Sequence, residues 1–220
     1  MFSILINKIR YYVLKNKFTN VYVKNTFGGV HSRSGEGSDL VQTAVIREKI
    51  PVLLEQLSAT SMIDAPCGDL FWISKVNLPV QTYLGLDIVS ELIRVNQERY
   101  GNQQRSFAVV NLVEDEFPKA DVILCRDCLV HLSYKDSLKA LRNFKKSGST
   151  YLLTTTFTDR TANIDLGRTF WRPLSLELPP FNFPKPLEII NEHCTEAQGL
   201  YSDKGLALWL LDDLTHYQHI

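Results

Sequence analysis

Asp127 and His131 stand four residues apart, a spacing that places two side chains on one face of a helical turn. A carboxylate and an imidazole so placed are candidates for taking the proton of a hydroxyl nucleophile, and imidazole has the pKa range the task needs. The bland alternative for His131 is a structural ring bonded to a backbone carbonyl. Upstream, the run Asp64-Ala-Pro-Cys-Gly-Asp-Leu70 puts Gly68 where backbone can approach a ligand closely. Asp87 follows one element later, where a carboxylate can accept both hydroxyl protons of a ribose diol. Together these residues point to a ligand containing a nucleoside.

Two details bear on which one. A dinucleotide turn needs three glycines, and with Gly68 as the middle one, Pro66 and Phe71 occupy the other two places. The turn carries Asp64 and Asp69 where a pyrophosphate would want a cation. S-adenosylmethionine (SAM) has no phosphate and carries a sulfonium and an amino group, so an acidic turn suits it.

These residues need elements to hold them. Short apolar runs at 61–65, 82–86, 106–110, 121–125 and 151–157 read as strands, and 69–76, 90–100 and 134–144 read as helices between them. Ser38 or Asp39 is expected to cap a helix running to about Leu57. Alternating strands and helices imply an α/β, doubly wound, mostly parallel sheet. Runs at 187–191 and 206–211, joined only by a loop, imply an antiparallel pair at its end. Ligands of such sheets sit beyond the carboxyl ends of the strands, so functional residues should follow Ala65, Leu86, Val110, Cys125 and Phe157.

The runs Ser34-Gly-Glu-Gly-Ser38, Asp64-Ala-Pro-Cys-Gly-Asp69 and Arg126-Asp-Cys-Leu-Val-His-Leu-Ser133, in this order, resemble a bacterial group of class I SAM-dependent methyltransferases, over about residues 25–157. Pro66 and Leu70 depart from the glycines common in the wider family. The resemblance implies a seven-stranded Rossmann-like sheet with its last strand antiparallel. It also implies that Asp64, with the backbone of Ala65 and Gly68, faces the methionine part of SAM. Asp87 would hold the ribose, Ile88 would pack on adenine, and Asn111 and Leu112 would meet the adenine edge. Many relatives have Asp at the Asn111 position, and the Asn carbonyl is expected to accept the adenine amine's hydrogen bond instead. The backbone at Arg126 and Asp127 would lie near the sulfonium. Thr43 and Arg47 would close over the cofactor, with Arg47 pairing with its carboxylate.

One domain is expected, with a helical cap over about 1–57 and a substrate cover over about 158–186. The cover is rich in proline and aromatics and carries Arg160, Arg168 and Arg172. Aromatic faces suit sugars or bases and guanidinium groups suit phosphate, so a sugar-containing or phosphorylated acceptor is expected. The site lacks the Asn/Asp-Pro-Pro-aromatic run of base-amine enzymes and the acidic pair of metal-dependent ones, which implies metal-independent O-methylation. A small-molecule amine or carboxylate acceptor, and an inactive SAM-binding module, are the alternatives.

Formal net charge is zero, which argues against a nucleic-acid partner. No apolar stretch is long enough to span a bilayer. Cys125 and Cys128 form a CxxC, but Cys67 and Cys194 are isolated, so all four are expected to be reduced thiols in a cytoplasmic protein. The first thirty residues are basic, with Ile4, Leu5, Ile9, Tyr12 and Val13 at near-helical spacing. A helix packed on the domain is favoured over one lying on an anionic membrane.

Overall fold

The structure, a computed structural model, describes residues 2–214, with side chains from residue 11 onward. Seven strands form one sheet: β1 (Ser61–Asp64), β2 (Thr82–Asp87), β3 (Arg105–Val109), β4 (Val122–Cys125), β5 (Tyr151–Phe157), β6 (Glu188–Asn191) and β7 (Lys204–Leu210). Their order is β3-β2-β1-β4-β5-β7-β6. β7 runs antiparallel to both neighbours and every other pairing is parallel. The chain starts at β1 in mid-sheet, winds outward to β3, then returns to β4 and winds the other way. The strand order therefore reverses between β1 and β4, the switch point where ligands of such sheets bind.

Burial on both faces explains the short apolar strands. In β4, Ile123 and Cys125 join one core cluster and Val122 and Leu124 the other, as a two-residue period demands. The first cluster takes Ala140, Leu141 and Phe144 from the helix Tyr134–Lys146. The second takes Ile46, Ile50, Leu53 and Leu54 from the helix Ala44–Gln56, and Leu92 and Ile93 from the helix Ser90–Tyr100.

The chain begins with a long helix, α1 (Phe2–Lys24); the three just described are α2, α3 and α4 in chain order. α1 packs through Leu14, Phe18 and Val21. Tyr12 and Val13, expected on that face, are 63% and 60% exposed, because the buried stripe runs 14-18-21. The side chains of Ile4, Leu5 and Ile9 lie outside the described residues. Among the described residues no helix is long and apolar enough to cross a membrane.

Two expected elements are shorter than read. The helix assigned to start at Ser38 or Asp39 starts at Ala44. The Asp39 carbonyl accepts from both Thr43 N–H and Thr43 Oγ1, and its carboxylate accepts from Val41 N–H, which closes a separate turn. The helix assigned to 69–76 is only a 3-10 turn at Ile73–Lys75, because Asp69 turns back to hold the preceding loop. α4 is capped by Ser133, whose Oγ accepts from Asp136 N–H.

Candidate functional site

Three gaps separate β3 from β4, so their carboxyl ends form a row roughly 14 Å long at about 4.8 Å per gap. Along it stand Asn111 after β3, Asp87 at the end of β2, Asp64 and Gly68 at and after β1, and Arg126 and Asp127 after β4. All six line one cavity, of about 1170 Å³ counted out into its open mouth. Ile88, Val110, Leu112 and Val113 make its wall beside Asn111.

The acids at the row's centre are buried. Asp87 accepts Val89 N–H on Oδ1 and Gly68 N–H on Oδ2, at 2.9 and 3.3 Å, leaving lone pairs on both oxygens. Burial pushes its pKa up to about 6 despite those bonds. Asp64 accepts the Tyr83 hydroxyl at 2.6 Å. Burial, opposed by Tyr83 and reinforced by Asp87, pushes its pKa to about 7. Such acids favour a cation that would restore their ionisation.

Asn111 is 1% exposed. Its Oδ1 accepts Val113 N–H at 3.0 Å, which fixes the amide's orientation, and its Nδ2 has no partner. The unpaired group is the Nδ2 donor, while the carbonyl expected to accept from adenine already accepts one bond and keeps a second lone pair. An unpaired buried donor is costly and suits a ligand acceptor.

Two segments close the cavity from above. α1 contributes Leu14, Phe18, Val21 and Tyr22, and the loop after it contributes Phe27, Arg33 and Ser34. Asp69 ties that loop down, accepting from Ser32 Oγ at 2.9 Å and Arg33 N–H at 2.7 Å. Gly68 lies so close beneath that a Cβ there would stand 2.3 Å from Ser34 Oγ, and its φ is +55°. Thr43 and Arg47, expected to form this cover, do not line the cavity. Thr43 is buried on the Asp39 carbonyl, and Arg47 donates to the Leu40 carbonyl. Ala65 is buried beneath, its N–H bonded to the Leu124 carbonyl.

Arg126 and Asp127 belong to a buried ionic network. Arg126 donates to both oxygens of Glu192 and to the Gly37 carbonyl, and stands 5.7 Å from the Trp72 ring centroid. Asp127 pairs with Lys204 Nζ at 2.6 Å and, more loosely, with Arg126. Its own φ is +52°, held by its N–H to Thr155 Oγ1. Burial works against its ionisation, but Lys204 and Arg126 outweigh it and hold its pKa at about 2. A carboxylate so satisfied is a poor base, which corrects its expected proton-taking role. Glu192 and Lys204 were missed; the signal was a lysine opening the otherwise apolar run Gly205–Leu210.

His131 lies on a 3-10 turn, Leu129–His131, and its Nδ1 stands 2.6 Å from the Phe170 carbonyl. A carbonyl has no proton to give, so Nδ1 carries the hydrogen and Nε2 keeps its lone pair. Nε2 makes no hydrogen bond among the described residues. Burial lowers the ring's pKa, so it stays neutral at pH 7. The His131 carbonyl accepts Lys17 Nζ, and Phe27 packs on the ring at 4.7 Å.

The expected substrate arginines lie elsewhere. Arg172 is buried and donates to the carbonyls of Leu129 and Leu132, pinning the His131 turn. Arg160 pairs with Asp203, and Arg168 is exposed; none of the three lines a described cavity. Cys125 is buried in β4, and all four cysteines are free thiols. Among the described residues no group of three or more His, Cys, Asp or Glu could hold a metal ion.

No family model and no curated protein matches the sequence. Solved structures do match the fold. N-methyltransferase NodS from Bradyrhizobium japonicum WM9, in complex with S-adenosyl-L-homocysteine (SAH), is similar at 15% identity and TM-score 0.55, over 74% of this chain and 86% of that one. Magnesium protoporphyrin IX methyltransferase from Synechocystis PCC 6803, with bound SAH, is similar at 12% identity and TM-score 0.54, over 77% and 84%. Human N-acetylserotonin methyltransferase, in complex with SAM, is similar at 12% and 0.54 over 76% of this chain, which spans about half that chain's length (51%). The seven-stranded sheet is thus the Rossmann-like fold of SAM-dependent methyltransferases.

Proposed function

We propose that the chain is a SAM-dependent methyltransferase in which His131 takes the acceptor's proton and no metal takes part. The observation that carries this is the order of groups along the strand ends. An apolar wall with a spare donor at Asn111, then the Asp87 carboxylate, then the acidic Asp64 turn match adenine, ribose and a cationic amino acid taken in sequence. The donor set fits SAM. Asn111 Nδ2 would give its hydrogen to an adenine ring nitrogen, Asp87 would accept the ribose hydroxyls, and Asp64 would face the amino group.

Bound there, SAM supplies a methyl group on a positively charged sulfur. The protein's work is to align and to move one proton. Its ionic network closes the β4 end of the cavity with no net charge, so it does not repel a sulfonium. α1 and the tethered 27–38 loop exclude water. His131 Nε2 receives the acceptor's proton at neutral pH.

Isothermal titration with SAM, SAH and NAD tests the cofactor. Saturable SAM and SAH binding, weakened at least tenfold in Asp87→Asn with an unchanged circular-dichroism spectrum, is expected. A folded protein that binds NAD but not SAM would end the reading.

A further inference from the structure

A second cavity, of about 790 Å³ counted to its mouth, adjoins the first and shares Phe27, Ser34, Asp127 and His131 with it. A ligand held there also touches His131. Its walls and charges define what that ligand can be.

Five aromatic rings line it, Phe27 and Phe170 at the His131 side and a cluster of Phe157, Trp171 and Tyr201; in that cluster Arg160 already stands 5.8 Å from the Phe157 ring centroid, which leaves Trp171 and Tyr201 as the faces open to a ligand. Phe157, Trp171 and Tyr201 pack mutually edge to face, at 64–82° and centroid separations of 4.7–6.0 Å. Crossed rings of this kind turn faces in more than one direction, the arrangement that holds organic ammonium groups. The charges agree. Lys204 and Asp127 cancel at 2.6 Å, and Lys204 is also 3.4 Å from Glu192. That leaves Glu36 and Glu196, which line the same cavity and have no ion-pair partner among the described residues. No arginine lines it and its one lysine, Lys204, is already paired with Asp127, so a phosphate or carboxylate would meet two unpaired carboxylates and no unpaired cation.

We propose that this cavity is the acceptor site and takes an organic amine in its ammonium form, which rests on the methyltransferase reading and narrows it to methyl transfer onto nitrogen. Glu36 and Glu196 hold the cation against the rings, and His131 Nε2 takes one N–H proton. The nitrogen lone pair so released forms the new N–C bond as the C–S bond breaks, its electron pair staying on sulfur. The products are a methylated ammonium, a neutral thioether and an imidazolium that returns its proton to water.

Three probes of one shape and different charge test this: phenethylamine, 2-phenylethanol and phenylacetate, titrated into protein saturated with SAH. Phenethylamine is expected to bind at least tenfold more tightly than the alcohol, with phenylacetate weakest. In the double variant Glu36→Gln/Glu196→Gln the preference for the amine should vanish while SAH affinity is unchanged. An alcohol or acid that binds as well as the amine, a preference that survives the double substitution, or binding of no probe to SAH-loaded protein would each overturn the proposal. Failure of SAH itself to bind would instead strike the methyltransferase reading.

Discussion

His131 is held from three sides: by the Phe170 carbonyl on Nδ1, by Lys17 on its own carbonyl and by the Phe27 ring. Every contact leaves Nε2 available, so a proton-taking role predicts a specific kinetic loss. His131→Ala is expected to lower kcat by about 10²–10⁴ while SAM still binds; a variant of near-normal turnover would leave the ring as a packing residue. Because burial lowers its pKa, the wild-type rate should hold through neutral pH and fall only below the ordinary imidazole value. Asp64 and Asp87 predict a second pH effect. Their pKa values of about 7 and about 6 lie above the unfolded value near 3.9, so the folded chain holds more protons than the unfolded one between those limits. Their contribution to stability is therefore present at low pH and is lost as pH rises through about 6 and 7. A cationic ligand prefers the ionised pair, so SAM affinity should move the other way. Titrations from about pH 5.5 to 8 should show it rising and then levelling; a flat profile would disconnect these carboxylates from the ligand's charge.

At the scale of elements, the 129–132 turn is built jointly by β4, which ends just before it, and by the cover segment, which supplies Arg172 and Phe170. Arg172 gives two hydrogen bonds to the turn's carbonyls and lines no described cavity. Read from the sequence as an acceptor ligand, it should have raised KM when removed. The structure moves the expected effect: Arg172→Met should lower kcat tenfold or more with the acceptor KM unchanged, since small misplacement of a catalytic group is costly. A raised KM with intact kcat would restore the contact role. The cover segment's aromatic and proline content was legible as a lid, but which of its arginines face inward depends on Asp203 and on two carbonyls distant in the chain. The helix boundary missed at Ser38 has a similar cause: the Asp39 turn is closed by local side-chain bonds that compete with a helix cap.

For the whole molecule, a ligand lying across β3, β2, β1 and β4 ties α1, both halves of the sheet and the 27–38 loop into one unit. A saturating ligand at about 100 times its dissociation constant adds about 2.7 kcal/mol to stability. For a chain of this size that corresponds to a Tm rise of about 5–10 °C, which differential scanning calorimetry with SAH should show. A rise appearing equally with NAD would contradict the assignment of the row.

Apolar strands alternating with helices read from the sequence as a doubly wound, mostly parallel sheet with an antiparallel end, and the resemblance supplied its seven strands, whereas the order β3-β2-β1-β4-β5-β7-β6 was decided by tertiary pairing. The sequence also marked Asp64, Gly68, Asp87 and Asn111, because residues at strand ends are placed by the strands themselves. The tertiary structure alone decided which polar groups are spent and which are available. Asn111 was left with an unpaired donor because Val113 N–H orients its amide through the carbonyl. Asp127 ceased to be a base because Lys204, 77 residues away, neutralises it. Thr43, Arg47 and Arg172 were drawn onto backbone carbonyls, and the wall of the cavity came from α1. A side chain's chemistry depends on the partners packed against it, and those partners come from segments far apart in the chain.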